Sequence, residues 1–282
     1  MDKKKKILVL GAKGMLGSTV YKYFKQNYIN VFGTDRHIDS KLFLLRAEFF
    51  QKDLKQILKE IENIDYIVNC VGILPNVKDK KLMAYVNTSF PKKLAYFAEK
   101  AGIRVISISS DAVFPANSGK VFENSLPEPD NFYGDTKLKG EVNRKNVLNI
   151  RTSIIGLDKN NNRGLLEWTL NNKNAFIDGY TNQKWSGCTT LQYAKLCNYI
   201  IQKNNFTKLR NKSSVFHYIS LGPVSKYDLL SEFVKVAGLN IKVRKTEGKI
   251  TIDRQLKSIY NIFLKEDLSK SLKDIFEFNN TG

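Results

Sequence analysis

Residues 7–10, Ile-Leu-Val-Leu, are apolar at every position and run into a glycine-rich turn, after which residues 15–26 carry apolar side chains at helical spacing. The same rhythm repeats. Further strands are predicted at 30–34, 47–50, 66–69 and 104–108, with a helix through Leu54 and Ile57 and a long helix over 82–101. Short runs that are apolar on both faces suit strands covered by helices on both sides, as in a parallel sheet. The expected fold class is therefore α/β, a doubly wound parallel sheet of Rossmann type. After a sixth strand at 149–151 the rhythm loosens, and 157–188 and 238–260 are polar with few clean periods. A helix at 191–202 and a strand at 215–220 lie between them. This pattern predicts a dinucleotide-binding domain over 1–156 that also takes in about 189–221. A smaller, mainly C-terminal substrate domain would be assembled from 157–188 and 222–282.

Composition changes the picture little. The chain has 282 residues, of which 42% are hydrophobic and 26% charged, ordinary for a globular protein. No apolar run approaches the ~20 residues that span a bilayer. The basic N-terminus precedes too short an apolar stretch for a signal peptide, so a cytoplasmic protein without a membrane partner is expected. Three cysteines, Cys70, Cys188 and Cys197, and two histidines, His37 and His217, lack metal-site spacing, and no metal is expected. The net charge of +19 is spread over the chain without an aromatic-interleaved basic block. It therefore does not call for a nucleic-acid partner, although a positive field favours approach of a diphosphate-bearing ligand.

The chemistry begins at Gly11-Ala12-Lys13-Gly14-Met15-Leu16-Gly17, placed between the first strand and the first helix. Gly11 permits the turn, Gly14 lets backbone approach a pyrophosphate, and Gly17 lets the helix pack close to the sheet. The helix N-terminus supplies free N–H groups and a positive dipole end. Asp35 closes the second strand, where a carboxylate can hold the adenine ribose of NAD. Arg36 follows, and its guanidinium can hold the 2′-phosphate of NADP. The reading leans to NADP(H), with NAD(H) open.

Tyr133 and Lys137 stand four apart, so on a helix they share a face. A nearby ammonium stabilises phenolate and tunes a tyrosine for acid/base work. Tyr21/Lys25, Tyr96/Lys100, Tyr180/Lys184 and Tyr199/Lys203 have the same spacing, so the spacing alone does not choose. Context does. Only Tyr133 opens a helix after a strand ending in hydroxyl residues, Ser107-Ile108-Ser109-Ser110-Asp111. Ligands of such sheets bind beyond the carboxyl ends of the strands.

These segments resemble extended short-chain dehydrogenases, most closely dTDP-4-dehydrorhamnose reductases and related nucleotide-sugar 4-reductases. The likeness rests on Glu123-Asn124-Ser125-Leu126-Pro127-Glu128-Pro129, on the stretch from Tyr133 to Glu141 and on Arg151-Thr152-Ser153-Ile154-Ile155-Gly156. It extends to Ser109-Ser110-Asp111-Ala112-Val113-Phe114, and more loosely to the segments around Trp185 and Arg254. The resemblance implies Ser110, Tyr133 and Lys137 as catalytic residues. It implies cofactor contacts at Asp53 and Leu54 (adenine side), at Cys70, Val71 and Gly72 (nicotinamide side) and at Asn87. Trp185 and Arg254 are candidates for base stacking and diphosphate pairing. The dehydratases of this group carry a Glu after the Asp, where Ala112 stands, and the fucose-synthase type has a Cys where Asp111 stands. Plain ketone reduction is what remains, with NAD(P)H as donor and a nucleotide-activated 4-keto-6-deoxy sugar as acceptor, in surface-polysaccharide biosynthesis. Ala112 also replaces the reductases' own tyrosine. A homodimer is expected. The alternatives are an epimerase that recycles its cofactor and a non-catalytic regulatory subunit, because the beta subunit of methionine adenosyltransferase resembles the same family.

Overall fold

A computed structural model describes residues 4–37, 42–45, 50–158, 164–173, 175–260 and 265–280. The chain opens with β1 (Lys6–Leu10), α1 (Met15–Asn27), β2 (Asn30–Asp35), β3 (Phe43–Leu44), α2 (Phe50–Glu60) and β4 (Tyr66–Asn69). It continues through α3 (Lys80–Ala84), a π-helical turn (Tyr85–Ser89), α4 (Phe90–Lys100), β5 (Arg104–Ile108), β6 (Gly119–Val121), α5 (Phe132–Lys139) and β7 (Val147–Arg151). Next come β8 (Ile154–Ile155), α6 (Leu165–Leu170), β9 (Phe176–Tyr180), β10 (Gln183–Thr189), α7 (Thr190–Ile201), α8 (Asn205–Arg210) and β11 (Val215–His217). The last elements are β12 (Leu221–Ser225), α9 (Lys226–Val236), β13 (Lys242–Thr246), β14 (Ile252–Leu256) and α10 (Leu268–Asn280).

Seven strands form one parallel sheet in the order β11-β7-β5-β4-β1-β2-β3. The order reverses between β1 and β4, and that switch point opens a crevice at the carboxyl ends of the strands. Side-chain alternation explains the two apolar faces. Ile7 and Val9 of β1 join α1, α7 and α8 in one core, while Leu8 and Leu10 join α2 and α4 in the other. Each of these buried side chains contributes about 1.5–3 kcal/mol. This is the doubly wound α/β class expected from the pattern.

Two expected elements differ. The third strand is Phe43–Leu44 rather than 47–50; residues 46–49 lie outside the described residues, and Phe50 opens α2. The apolar run Leu42-Phe43-Leu44-Leu45 supplies this edge strand, which pairs on one side only. The long helix at 82–101 is interrupted by the π-helical turn, which carries Asn87 inward.

A second sheet, β12-β10-β14-β6 with β8 also paired to β10, stands beyond the carboxyl ends. β10 feeds directly into α7 through a capping box made by Thr189 and Gln192. α7 lies on α1, where Thr19 Oγ1 and Thr190 Oγ1 meet at 3.1 Å. β9 and β13 form a separate parallel pair. Leu166, Leu229, Phe233, Leu272 and Ile275 build a further core from α6, α9 and α10.

Candidate active site

The phosphate loop is built as a cradle. Gly11 has φ +76°, the left-handed region that glycine tolerates, and its N–H donates to Thr34 Oγ1 (3.1 Å). A Cβ on Gly17 would lie 2.0 Å from the Gly11 carbonyl oxygen, so only glycine lets α1 start this close to the sheet. Gly14 is different. It is exposed, and a Cβ there would make only an ordinary 3.5 Å contact, so the protein itself does not demand glycine. No side chain caps α1 and no acidic residue sits in its first turn, which suits the N-terminus to an anion. Met15 is half-buried and Leu16 is part of the core. Asp35 is largely buried at the end of β2; it accepts from the Arg36 N–H (2.7 Å) and lies 3.7 Å from Lys13 Nζ. Arg36 is exposed, with Nε 3.2 Å from His37 Nε2.

Across the switch point, Asp53 is buried in the first turn of α2 and lines a cavity of about 400 Å³ with Leu42, Phe43 and Gln56. The Leu54 side chain belongs to the core rather than to any opening. Burial raises the Cys70 thiol, which points into the α1/α7 core, while Val71 packs on the opposite face. Asn87 Oδ1 accepts from the Ile73 N–H (2.9 Å), and its Nδ2 donates to Ile73 O (3.0 Å) and Thr136 Oγ1 (3.2 Å). That π-helical turn ties the segment after β4 to α5, a place where such turns often serve function.

The three expected catalytic side chains gather at the end of β5. Asn131 caps α5 by accepting from the Gly134 N–H (2.9 Å), which fixes where the helix starts and hence where Tyr133 points. A Cβ on Gly134 would fall 2.0 Å from the Ala112 carbonyl oxygen, so glycine lets α5 press against the 3-10 turn Asp111–Val113. A hydrogen bond joins the Tyr133 and Ser110 side chains. Lys137 is buried and its Nζ donates to Ile108 O (2.8 Å), close to Gly72. In an ordinary helix Gly→Ala stabilises by roughly 0.5–1 kcal/mol. Gly134→Ala is expected to do the opposite here and lower the melting temperature; an unchanged or higher value would show that α5 can shift freely.

Burial pushes the Tyr133 hydroxyl up to about 12; the Ser110 hydrogen bond pulls it down, Asp111 adds to the rise and Arg254 opposes it. Burial lowers Lys137 to about 8, with Glu141 favouring its charge. The expectation that Lys137 alone tunes the tyrosine thus changes, because Arg254 also supplies a positive charge. Arg254, a candidate for diphosphate pairing, instead donates from Nε to Asp111 Oδ2 (3.1 Å) and from Nη1 to Phe114 O (2.9 Å). Trp185 is half-buried against the third core and donates from Nε1 to Ser153 Oγ (3.0 Å). Sequence reading missed the Asp111–Arg254 pair and the buried Glu141–Arg151 pair. It had the cap of α5 in view as Asn131-x-x-Gly134 and passed over it.

The family described as RmlD substrate binding domain matches residues 5–254. This chain belongs to that family. As an RmlD-type, extended short-chain dehydrogenase/reductase, it shares its fold with known reductases. The dTDP-4-dehydrorhamnose reductase of Bacillus anthracis in complex with NADP is similar over 97% of this chain and 99% of that one, with TM-score 0.79 and 19% identity. The corresponding reductase of Clostridium acetobutylicum has TM-score 0.76 and 21% identity over 98% of this chain and all of that one. UDP-glucuronic acid 4-epimerase from Bacillus cereus in complex with NAD has TM-score 0.71 and 22% identity, covering 97% and 96%. By sequence, the RmlD-family chain is 31% identical over 138 residues to methionine adenosyltransferase 2 subunit beta of Danio rerio, covering 49% of this chain and 42% of that relative. It therefore spans less than half the length of that curated relative. Among the described residues, no helix is long and apolar enough to cross a membrane.

Proposed function

We propose that the chain reduces the 4-keto group of a nucleotide-activated 4-keto-6-deoxy sugar. The observation that carries this reading is the meeting of Ser110, Tyr133 and Lys137 at the end of β5, beside the sheet's switch point. The cradle at Gly11, Gly14 and Gly17 with the uncapped start of α1 would hold a dinucleotide pyrophosphate. Lys13, Asp35, Arg36, Asp53 and Leu54 would flank its adenosine half, and Cys70, Val71, Gly72 and Asn87 its other half. Lys13 beside Asp35 offsets the carboxylate's repulsion of a 2′-phosphate, and Arg36 stands next to it, which favours NADPH over NADH. A reduced nicotinamide, when bound, supplies hydride. Residues 157–188 and 222–282 would hold the sugar nucleotide.

Ser110 donates a hydrogen bond to the substrate carbonyl oxygen, a contact that strengthens as negative charge grows there. Tyr133, protonated at neutral pH because burial keeps its hydroxyl weakly acidic, gives its proton to that oxygen. The C–H bond formed by hydride and the O–H bond formed from Tyr133 complete the alcohol. Lys137, charged below about pH 8, stabilises the phenolate left behind.

A pH dependence follows. The charged form of Lys137 is the active one, so kcat/KM for the dinucleotide should fall as pH rises through about 8. Lys137→Arg, which stays charged, should remove that alkaline limb even with a lower absolute rate. A limb that survives in Lys137→Arg would assign it to another group.

The direct test follows loss of reduced-nicotinamide absorbance on adding dTDP- or UDP-4-keto-6-deoxyhexoses. Consumption dependent on the sugar supports the reading. Tight dinucleotide binding with no consumption turns it toward the second reading, a non-catalytic dinucleotide-binding subunit, which the likeness to methionine adenosyltransferase 2 subunit beta favours. Interconversion of sugars without net consumption points to an epimerase.

A further inference from the structure

Arg254 reaches the end of β5 from the other sheet. It lies on β14, in register with Gly119 of β6, and its partner Asp111 is 143 positions away in the chain. The pair is mostly covered, with side-chain exposures of 15% for Arg254 and 18% for Asp111, so solvent screens it less than a surface pair. A second bond, from Nη1 to Phe114 O, fixes the guanidinium plane. The carboxylate faces two ways: Oδ2 accepts from Arg254, and Oδ1 accepts from Ser110 Oγ (3.2 Å). Ser110 Oγ in turn accepts from the Ala112 N–H (3.1 Å) and bonds with Tyr133. An unbroken run therefore leads from Arg254 through Asp111 and Ser110 to the Tyr133 hydroxyl.

We propose that Arg254 is a positioning residue for the proton donor, clamping Asp111 so that Ser110 is held against Tyr133 and its proton is released to the substrate. The inference rests on the reductase reading for its catalytic consequence, but not for the electrostatic one. Without a cation, the Asp111 carboxylate would retain the Ser110 hydroxyl proton and repel the phenolate that forms at Tyr133. Arg254 draws the carboxylate's charge to its far oxygen and counters both effects. The charged and titratable groups around Tyr133 are Asp111 and Arg254 from the facing elements and Lys137 on its own helix. Asp130, one residue beyond the α5 cap, also feels Arg254. Burial raises its carboxyl, but bonds from the Ala116 N–H and Asn131 together with the Arg254 charge leave it below its usual value. Arg254 thus carries contacts from the second sheet to the catalytic strand end.

The experiment uses the full chain labelled with 3-fluorotyrosine, whose more acidic phenol brings the titration into reach. Fluorine NMR follows ionisation without cofactor or substrate, and Tyr133→Phe identifies the line. Arg254→Met should raise the Tyr133 midpoint by about 0.5–1 pH unit, Asp111→Asn should lower it, and the double variant should return toward wild type. A merely structural role would not give opposite signs; shifts in one direction, or none, overturn the proposal. In turnover with a keto-sugar, Arg254→Met should lower kcat about tenfold with the sugar KM little changed, and Arg254→Lys should restore part of it. A raised sugar KM at unchanged kcat would instead make Arg254 a substrate ligand and overturn the positioning role. If the wild-type chain turns over no keto-sugar, the reductase reading fails while the fluorine shifts still decide the role of Arg254.

Discussion

Tyr133→Phe lowers kcat by about 10²- to 10⁴-fold, the usual contribution of a positioned proton donor, with dinucleotide affinity nearly unchanged. The substitution removes one hydroxyl and keeps the ring. The hydrogen bond lost to Ser110 is worth only about 1 kcal/mol, so the fold survives and the effect reads the chemistry. The measurement is kcat beside a dinucleotide binding titration on the same preparation. Retained turnover in Tyr133→Phe would move the proton-donor role elsewhere. A collapse of dinucleotide binding would mean that Tyr133 serves the fold of the cleft.

The largest effect on stability is expected at Glu141. Its carboxylate takes the Arg151 guanidinium at both oxygens, Nε to Oε1 and Nη2 to Oε2, each 2.7 Å, and also accepts from Ser109 Oγ (2.7 Å). Both side chains are buried, at 5% exposure for Arg151 and 9% for Glu141. Glu141→Ala leaves the guanidinium buried among Phe114 and His217 with no counter-charge, which costs about 3–5 kcal/mol. For a chain of this size that lowers the melting temperature by roughly 6–20 °C. The pair itself contributes less than its breaking costs, because both ions gave up water to form it. The double variant Glu141→Met with Arg151→Met should therefore melt well above Glu141→Ala alone. A double variant that melts lower than the single one would contradict this account. Glu141 also favours the charged form of Lys137, so its loss should move the alkaline limb of the rate profile further below pH 8.

The sheet was legible because its signal is local. Ile7 to Leu10 bury both faces of β1, and the alternation that divides them between two cores lies in four consecutive residues. The phosphate loop was legible for the same reason, since seven adjacent residues make the turn, the close approach and the helix start. Where information is short-lived or distant, the reading ran out. The edge strand Phe43–Leu44 is two residues long, and a neighbouring apolar run at 47–50 competed with it. The π-helical turn around Asn87 changes the helical period for one turn only, below what an apolar pattern can register. The catalytic spacing Tyr133/Lys137 occurs five times, and only its place after β5 separated it from the others. Arg254 meets Asp111 through a contact between two sheets, and no pattern along the chain announces such a meeting.

The most direct measurement of the central claim uses reduced dinucleotide carrying deuterium at the transferring position, incubated with the chain and a nucleotide-linked 4-keto-6-deoxyhexose. The account predicts deuterium at C4 of the product sugar, in amount equal to the dinucleotide oxidised, and almost none with Tyr133→Phe. A product without deuterium, or a sugar returned unchanged while the dinucleotide stays reduced, would contradict it.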